Sequence, residues 1–176
     1  ENHVIFLDCD TLDYQYAPAD FGDYTLLLLN TNVKHNLQTS EYNNRRKECE
    51  AGIALIQSKY PEVKNFREAT MEMVEDLKEK MGDVVYRRSR FVVGEISRIQ
   101  ELVKSLEKND FENVGKLMTS THYGLSKDYE VSCEELDFLV DNVLLEQGVL
   151  GARVMGGGFG GCTINLLKKT VVENVI

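Results

Sequence analysis

The residues best suited to chemistry are a run of glycines near the end of the sequence. Seven of the thirteen glycines lie between Gly148 and Gly161, and the densest part reads Gly156-Gly157-Gly158-Phe159-Gly160-Gly161. Because glycine has no Cβ, such a loop can lie flat against another backbone or a phosphate group. A hairpin turn that uses glycine for positive φ is the alternative. Five glycines in six residues exceed what a turn alone requires.

Neither of two common nucleotide-binding motifs accounts for this run. Gly156, Gly158 and Gly161 formally satisfy G-x-G-x-x-G, but a dinucleotide fingerprint must follow a strand and open a helix. The residues after the run, 163–167, have the composition of a strand, so we reject that interpretation. The sequence also contains no G-x-x-x-x-G-K-[ST], which excludes a P-loop within it.

A second candidate is the polar segment 32–46, which leaves an apolar strand and enters a helix. Polar residues at such junctions often face a ligand, although a solvated loop is the commoner explanation. Within it, Tyr42 presents its hydroxyl to a sugar or a phosphate, or else packs the helix against the sheet. The cluster Arg87, Arg88 and Arg90 is able to bind phosphate, but a solvated helix face is the expected role. We find no catalytic set in this chain.

The cysteines and histidines predict no metal site. Four cysteines are far apart without a Cys-x-x-Cys pair, and three histidines are equally scattered. We expect reduced thiols and a cytoplasmic protein.

The segment between Ser40 and Gly148 is predicted to be almost entirely helical. Apolar stripes with a period of 3.6 run from Cys49 to Tyr60, from Val85 to Leu106 and from Phe111 to Leu125. A weaker helix is expected over 66–80. Capping residues are expected at three helix starts, with Gly148 closing the last helix: Ser40, Asn109 with Glu112, and Ser132 with Glu135.

Short apolar runs at both ends of the sequence predict the strands. Residues 3–8 and 25–29 have the composition of buried strands, and residues 149–155 and 162–167 predict two strands joined by the glycine-rich turn. Terminal strands with helices between them indicate an α+β fold, in which the strands pair in one sheet and the helices cover a face of it.

Length and charge narrow the classes of function. A chain of 176 residues is enough for one domain with a small addition. Its net charge of −9 makes nucleic acid and anionic membranes unexpected partners. No apolar stretch reaches the ~20 residues of a membrane span. The chain begins at Glu1 with an apolar run almost at once, so we expect it to be a piece of a longer protein.

Taken together, the motifs resemble the C-terminal part of the galactokinases, a family of the GHMP small-molecule kinase superfamily. The matching stretches follow one another over nearly the whole chain: Asn32-Val33-Lys34-His35, Ser40-Glu41-Tyr42, Arg45-Arg46, Cys49-Glu50, Val92-Val93-Gly94-Glu95, Leu117-Met118, Ser120-Thr121-His122, Asp128-Tyr129-Glu130-Val131-Ser132-Cys133, Glu135-Leu136-Asp137, Gly151-Ala152-Arg153 and Gly156 to Cys162.

The resemblance implies a fold and a division of the chain. The fold would be that of the GHMP kinase C-terminal domain, an antiparallel sheet covered by helices in a ferredoxin-like arrangement. Residues 24–176 would form this domain, and residues 1–23 would be strands linking it to an absent N-terminal domain. Two departures are Val154-Met155, where the family usually has Met-Thr, and Phe91, where it often has His.

The resemblance also implies an activity for the complete protein. This is transfer of the γ-phosphate of ATP, with Mg²⁺, to the anomeric hydroxyl of galactose. Tyr42 would contact the sugar, and the loop Gly156 to Gly161 would support the nucleotide loop of the other domain. The catalytic Asp and that nucleotide loop would lie outside this chain, so we expect the chain alone to be inactive. Alternatives are a kinase acting on N-acetylgalactosamine or arabinose, and a non-catalytic galactose sensor.

Overall fold

A computed structural model describes residues 3–33 and 38–176 of the chain. Its strands are β1 (His3–Leu7), β2 (Tyr14–Pro18), β3 (Tyr24–Asn30), β4 (Val149–Val154) and β5 (Cys162–Lys168). Its α-helices are α1 (Gln38–Lys59), α2 (Met71–Asp76), α3 (Lys78–Glu107), α4 (Phe111–Tyr123), α5 (Glu134–Val143) and α6 (Val172–Val175). A π-helical turn, Gly124–Asp128, extends α4.

The main sheet is antiparallel and has β5 at its centre. Its order is β3-β5-β4, and β3 runs alongside β5 from Tyr24 opposite Lys168 to Asn30 opposite Cys162. α4, α5 and the C-terminal part of α3 pack against this sheet, with α4 in extensive contact with β4, whereas α1 and α2 pack on α3. The predicted α+β class, with an antiparallel sheet covered by helices, is confirmed.

The first strand departs from the prediction. β1 pairs with β2 in a separate hairpin, His3 opposite Pro18, and does not join the main sheet. Ile5 and Leu7 are exposed, so the expectation of a buried strand at 3–8 is wrong. The strand expected at 25–29 forms as β3, but Leu26 and Leu28 are exposed, so it is not fully buried either. The hairpin closes over a short turn in which the Asp8 amide donates to the Asp13 carbonyl at 2.8 Å. β1 and β2 are joined by the short segment 8–13, so β1 pairs with its neighbour in the sequence and not with the main sheet.

Two apolar clusters form most of the core. One lies among α1, α2 and α3, and includes Ile56, Val74, Leu77 and Val93. The other joins the C-terminal half of α3 to α4 and the sheet through Val103, Leu106, Val114, Met118 and Leu166. Ala17 of β2 is fully buried in the second cluster, so the hairpin is anchored to the body of the domain at this residue.

Glycine allows α4 to cross β4 at backbone distance. A Cβ on Gly115 would lie 2.2 Å from the Leu150 carbonyl oxygen, and a Cβ on Gly151 would lie 2.0 Å from the Gly115 carbonyl oxygen. No other residue fits at either position without moving the helix from the strand. This contact fixes the position of β4 against α4, and therefore the point at which the glycine-rich loop begins.

Several predicted helix boundaries shift in the structure. Asp110, and not Asn109, caps α4 by accepting from the Asn113 amide at 3.0 Å, because Asn109 has a left-handed φ of 54°. Cys133, and not Ser132, is the N-cap position of α5. Of the weak helix expected over 66–80, only α2 and the first residues of α3 are helical in the structure.

The end of α5 and the start of α1 also differ from the sequence prediction. α5 ends at Val143, before Gly148, and Gly148 instead adopts a φ of 107° immediately before β4. Ser40 lies within α1 and is not its first residue. Within the described ranges, no helix is both long and apolar enough to span a membrane.

Candidate functional site

The glycine-rich loop joins β4 to β5, as the sequence predicted for a hairpin. The Met155 amide donates to the Cys162 carbonyl at 2.9 Å and closes the loop. Positive φ values occur at Gly156, Gly158, Gly160 and Gly161, and at Phe159 with 59°. Four of the five glycines therefore serve the turn itself, because L side chains rarely adopt such a φ.

The inner side of the loop packs against this chain. The Phe159 amide donates to the Val131 carbonyl at 2.7 Å, and a Cβ on Gly158 would lie 2.0 Å from the same oxygen. Gly161 is held by Thr31, whose amide and hydroxyl each donate to the Gly161 carbonyl at 2.9 Å. The loop therefore makes a close backbone approach, and the partner of Gly158 is Val131 of the same domain.

The outer side of the loop is open. Gly156 and Gly157 are exposed, and no described atom lies within 4 Å of a Cβ built on either residue. Gly157 does not have a positive φ, so the turn does not require a glycine there. Bare backbone at this position allows another group to approach closely.

Gly156, Gly157 and Phe159 line a pocket of about 330 Å³ with Tyr42. The structure thus brings together residues of α1 and the β4–β5 loop that are far apart in the sequence. Gly158, Gly160 and Gly161 do not line it. The remaining walls are Arg45, Arg46, Cys49, Leu125, Tyr129 and Val131. Lys34 and His35 of the junction segment, and the side chain of Ser40, lie outside the described part of the chain.

One wall of the pocket, formed by Tyr129 and Cys49, is uncharged. The ring of Tyr129 stacks on Phe91 with ring centres 5.1 Å apart, and its hydroxyl lies 3.5 Å from the Cys49 sulfur. Burial raises the pKa of the Tyr129 phenol and also the pKa of the Cys49 thiol. Both groups are therefore protonated near neutral pH, and neither is an activated nucleophile.

Arg88 contradicts the expectation of a solvated arginine face. Its side chain is almost fully buried, with Nε 2.8 Å from Glu48 Oε2 and Nη2 2.7 Å from Glu130 Oε2. Its Nη1 donates to the Asp128 carbonyl. A buried guanidinium needs such complete pairing because an unpaired charge is costly away from water. Arg90, in contrast, is half exposed and lies 3.6 Å from Glu75.

Glu130 is the acidic centre of the arginine cluster. Arg88, together with Arg87 at 2.6 Å, holds the pKa of Glu130 at about 2, well below its ordinary value of 4.5. Glu130 also has a left-handed φ of 53°, which is unusual for a residue other than glycine. Sequence reasoning missed this site because spacing within α3 does not show which of its arginines meets α1 and the segment after the π-helical turn.

The metal-ligating side chains remain dispersed in the described residues. They contain no group of three or more His, Cys, Asp or Glu side chains arranged for a metal ion. Cys9, Cys49, Cys133 and Cys162 are free thiols.

The C-terminal part of the chain matches a known protein family. Residues 102–176, which contain α4, α5, β4, β5 and the glycine-rich loop, match the model described as GHMP kinases C terminal. The match to the GHMP kinase C-terminal family is confined to this part of the chain. The matched range includes the loop and the Val131 carbonyl that supports it, whereas Tyr42 and the arginines of α1 and α3 precede it.

Curated relatives match residues 102–176 and also the residues before them. A galactokinase of Thermotoga neapolitana is 45% identical over 175 residues, and one of Clostridium beijerinckii is 41% identical over 177 residues. These alignments cover 99% and 100% of this chain, but only 47% and 45% of the relatives. The chain therefore spans a little under half the length of the galactokinases that it matches.

Solved structures share the fold. Lactococcus lactis galactokinase complexed with galactose superposes with a TM-score of 0.93 at 32% identity, over 99% of this chain and 45% of that one. L. major mevalonate kinase in complex with R-mevalonate gives a TM-score of 0.56 at 18% identity, over 98% of this chain and 42% of that one. The second likeness extends to the fold alone.

Proposed function

We propose that the chain is the C-terminal domain of a galactokinase, which transfers the γ-phosphate of ATP to the anomeric hydroxyl of galactose. The observation behind this proposal is the pocket that holds Tyr42 beside Gly156 and Gly157. Support comes from galactokinases that are similar over 99% of the chain and from the likeness to a galactokinase complexed with galactose.

In this proposal, Tyr42 contacts the sugar and the outer side of the loop faces the nucleotide side of the site. Tyr42 is 64% exposed at the rim of the pocket, so its hydroxyl is accessible to a ligand. The exposed backbone at Gly156 and Gly157 fits a phosphate chain, or the nucleotide loop of a second domain, because nothing occupies the position of a Cβ there. When bound, ATP supplies the phosphoryl group.

The residues present do not fit Mg²⁺ directly. Mg²⁺ prefers carboxylate and phosphate oxygens in octahedral geometry, and the described residues contain no suitable group of acidic side chains. The arginine-paired Glu48 and Glu130 are already engaged. Any Mg²⁺ of the complete enzyme is therefore proposed to be held by ATP and by residues outside this chain.

The domain division is part of the proposal. Residues 24–176 form the GHMP kinase C-terminal domain, and residues 1–23 contact the rest of the enzyme. The β1–β2 hairpin supports this division because it is a separate sheet with apolar side chains exposed. A cytoplasmic location is proposed as well, since four unpaired thiols suit a reducing compartment.

The test uses the complete polypeptide that contains this chain. We expect it to release ADP from ATP in the presence of galactose, and more slowly with N-acetylgalactosamine or arabinose at the same concentration. Faster release with either of these sugars would reassign the substrate. No release with any sugar, in a folded protein, would contradict the kinase.

A second arm of the test uses this chain alone. We expect no ADP release above the no-enzyme control, because the described walls of the pocket contain no carboxylate that could act in catalysis. Their polar side chains are arginines, a thiol and tyrosines. Galactose-dependent turnover by the chain alone would contradict the proposed division of the active site.

A further inference from the structure

Three arginines bind consecutive backbone carbonyls beside the pocket. Arg87 Nη1 donates to the Lys127 carbonyl at 2.9 Å, and Arg88 Nη1 donates to the Asp128 carbonyl. Arg45 Nε donates to the Tyr129 carbonyl at 2.6 Å, and its Nη2 donates to the Glu130 carbonyl at 2.9 Å. The next carbonyl along the chain, that of Val131, accepts from the Phe159 amide of the glycine-rich loop.

The segment 127–131 depends on these contacts because it lies between helices. The π-helical turn ends at Asp128 and α5 begins at Glu134. Glu130 in the middle is left-handed, with a φ of 53°, and such a conformation persists in a non-glycine residue only when the surroundings enforce it. The carboxylate of Glu130 is itself held by Arg87 and Arg88.

Arg88 is the central member of the set. It is 1% exposed and, through its ion pair with Glu48, ties α1 to α3 and to segment 127–131. The charge-assisted hydrogen bonds of a planar guanidinium fix the positions of the groups that it binds, in addition to stabilising the contact. Lysine carries the same charge but cannot make three divergent contacts in one plane.

We propose that Arg88 is a positioning residue of the pocket. Together with Arg45 and Arg87, it fixes the position of the Val131 carbonyl. That carbonyl in turn fixes the position of the glycine-rich loop, because it contacts Phe159 and Gly158. The outer face of that loop, at Gly156 and Gly157, is thereby presented to the pocket at a defined depth. The structural part stands on these contacts alone, and its consequence for catalysis rests on the proposed galactokinase function.

The experiment measures amide hydrogen exchange in the complete polypeptide that contains this chain. In Arg88→Lys, we expect the Phe159 amide to exchange about tenfold faster or more, while the Met155 amide, which closes the loop onto β5 at 2.9 Å, changes less than about twofold. The matched control is Arg90→Lys, two positions along the same helix and half exposed, for which both amides should keep their rates. Equal acceleration of both amides in Arg88→Lys would mean global loosening and would overturn the proposal, as would no acceleration.

A second variant covers the case in which Arg88→Lys fails to fold. Glu48→Gln keeps the shape of the side chain that orients Arg88 and removes its charge. It should loosen Phe159 selectively, by about threefold or more, with Met155 again as the reference amide. Unchanged Phe159 exchange in folded Glu48→Gln would count against the proposal.

A kinetic arm separates this proposal from the proposed function. In the complete polypeptide, Arg88→Lys should lower kcat/KM for galactose phosphorylation by about ten- to a hundredfold, because a shift of about 1 Å in a reacting site costs up to ~100-fold. Arg90→Lys should stay within about twofold. Selective loosening of Phe159 in a complete polypeptide without kinase activity would support the positioning role and contradict the galactokinase.

Discussion

At the scale of single residues, Tyr42 is the side chain for which a direct ligand contact is proposed. Tyr42 lines the pocket and is 64% exposed. In the complete enzyme, Tyr42→Phe should weaken galactose use by roughly two- to tenfold, since one neutral hydrogen bond contributes about 0.5–1.5 kcal/mol. The measurement is the KM and kcat for galactose, with thermal unfolding as the control. Unchanged kinetics would leave Tyr42 with a packing role.

Glu130 makes the free energy of unfolding of the domain depend on pH between about 2 and 4.5. Its pKa is about 2 in the folded protein, against an ordinary value of 4.5, so its ion pairs stabilise the fold fully above about pH 4.5. That contribution is lost as the pH falls toward 2. Glu130→Gln should therefore be less stable than the parent at pH 5, and the difference should shrink steadily between pH 4.5 and 2.

Urea unfolding at a series of pH values in that range measures the effect. Two parallel curves, with a constant difference between the variant and the parent, would show that Glu130 stabilises the fold through shape and not through its charge. High salt should reduce the difference only partly, because the partner Arg88 is buried and screening acts mainly on exposed charges.

At the scale of elements, the β4–β5 loop divides its glycines between two tasks. Gly158 is needed by the fold, with a φ of 83° and the Val131 carbonyl 2.0 Å from a built Cβ. Gly157 has neither restriction. The two neighbours therefore offer a matched pair of substitutions that separates turn geometry from ligand approach.

Gly158→Ala should cost at least about 1–2 kcal/mol of stability from the left-handed backbone, with a further loss from the contact with Val131. Gly157→Ala should stay within about 0.5 kcal/mol of the parent. In the complete enzyme, however, the new methyl group at Gly157 should lower activity by obstructing the phosphate side of the site. Chemical denaturation and ADP release check the two effects. Full activity in Gly157→Ala would show that nothing approaches the outer face of the loop.

At the scale of the whole molecule, the β1–β2 hairpin is anchored through the buried Ala17 and the partly buried Phe6, while Ile5, Leu7 and Tyr16 are exposed. Ile5 and Tyr16 are cross-strand partners, each 61% exposed. A strand pair with apolar exposed side chains favours association. We expect the isolated chain to self-associate at micromolar concentration.

The double variant Ile5→Thr, Tyr16→Thr should reduce this association, because threonine keeps the preference for a strand and removes apolar surface. Light scattering measures the mean mass, and thermal unfolding shows that the fold persists. Leu145→Gln is the matched control, since Leu145 is 82% exposed but lies outside the hairpin, after α5. Equal reduction by the control would place the contact elsewhere.

Local signals in the sequence determined most of the elements. The period of 3.6 between Ser40 and Gly148 and the short apolar runs at 149–155 and 162–167 depend on neighbouring residues, so the helices, β4, β5 and the loop between them could be predicted. The excess of glycine correctly indicated a close backbone approach, because absence of a Cβ has the same consequence in any fold.

Tertiary structure alone decided what those residues meet. Gly158 approaches Val131, Tyr42 lines one pocket with Gly157, and Arg88 is buried between Glu48 and Glu130. Each contact joins segments far apart in the chain, and its geometry follows from how α1, α3 and the sheet pack. An arginine at a polar helical position looks solvated in the sequence, since the carboxylates and carbonyls that compensate its burial are brought to it only by the fold.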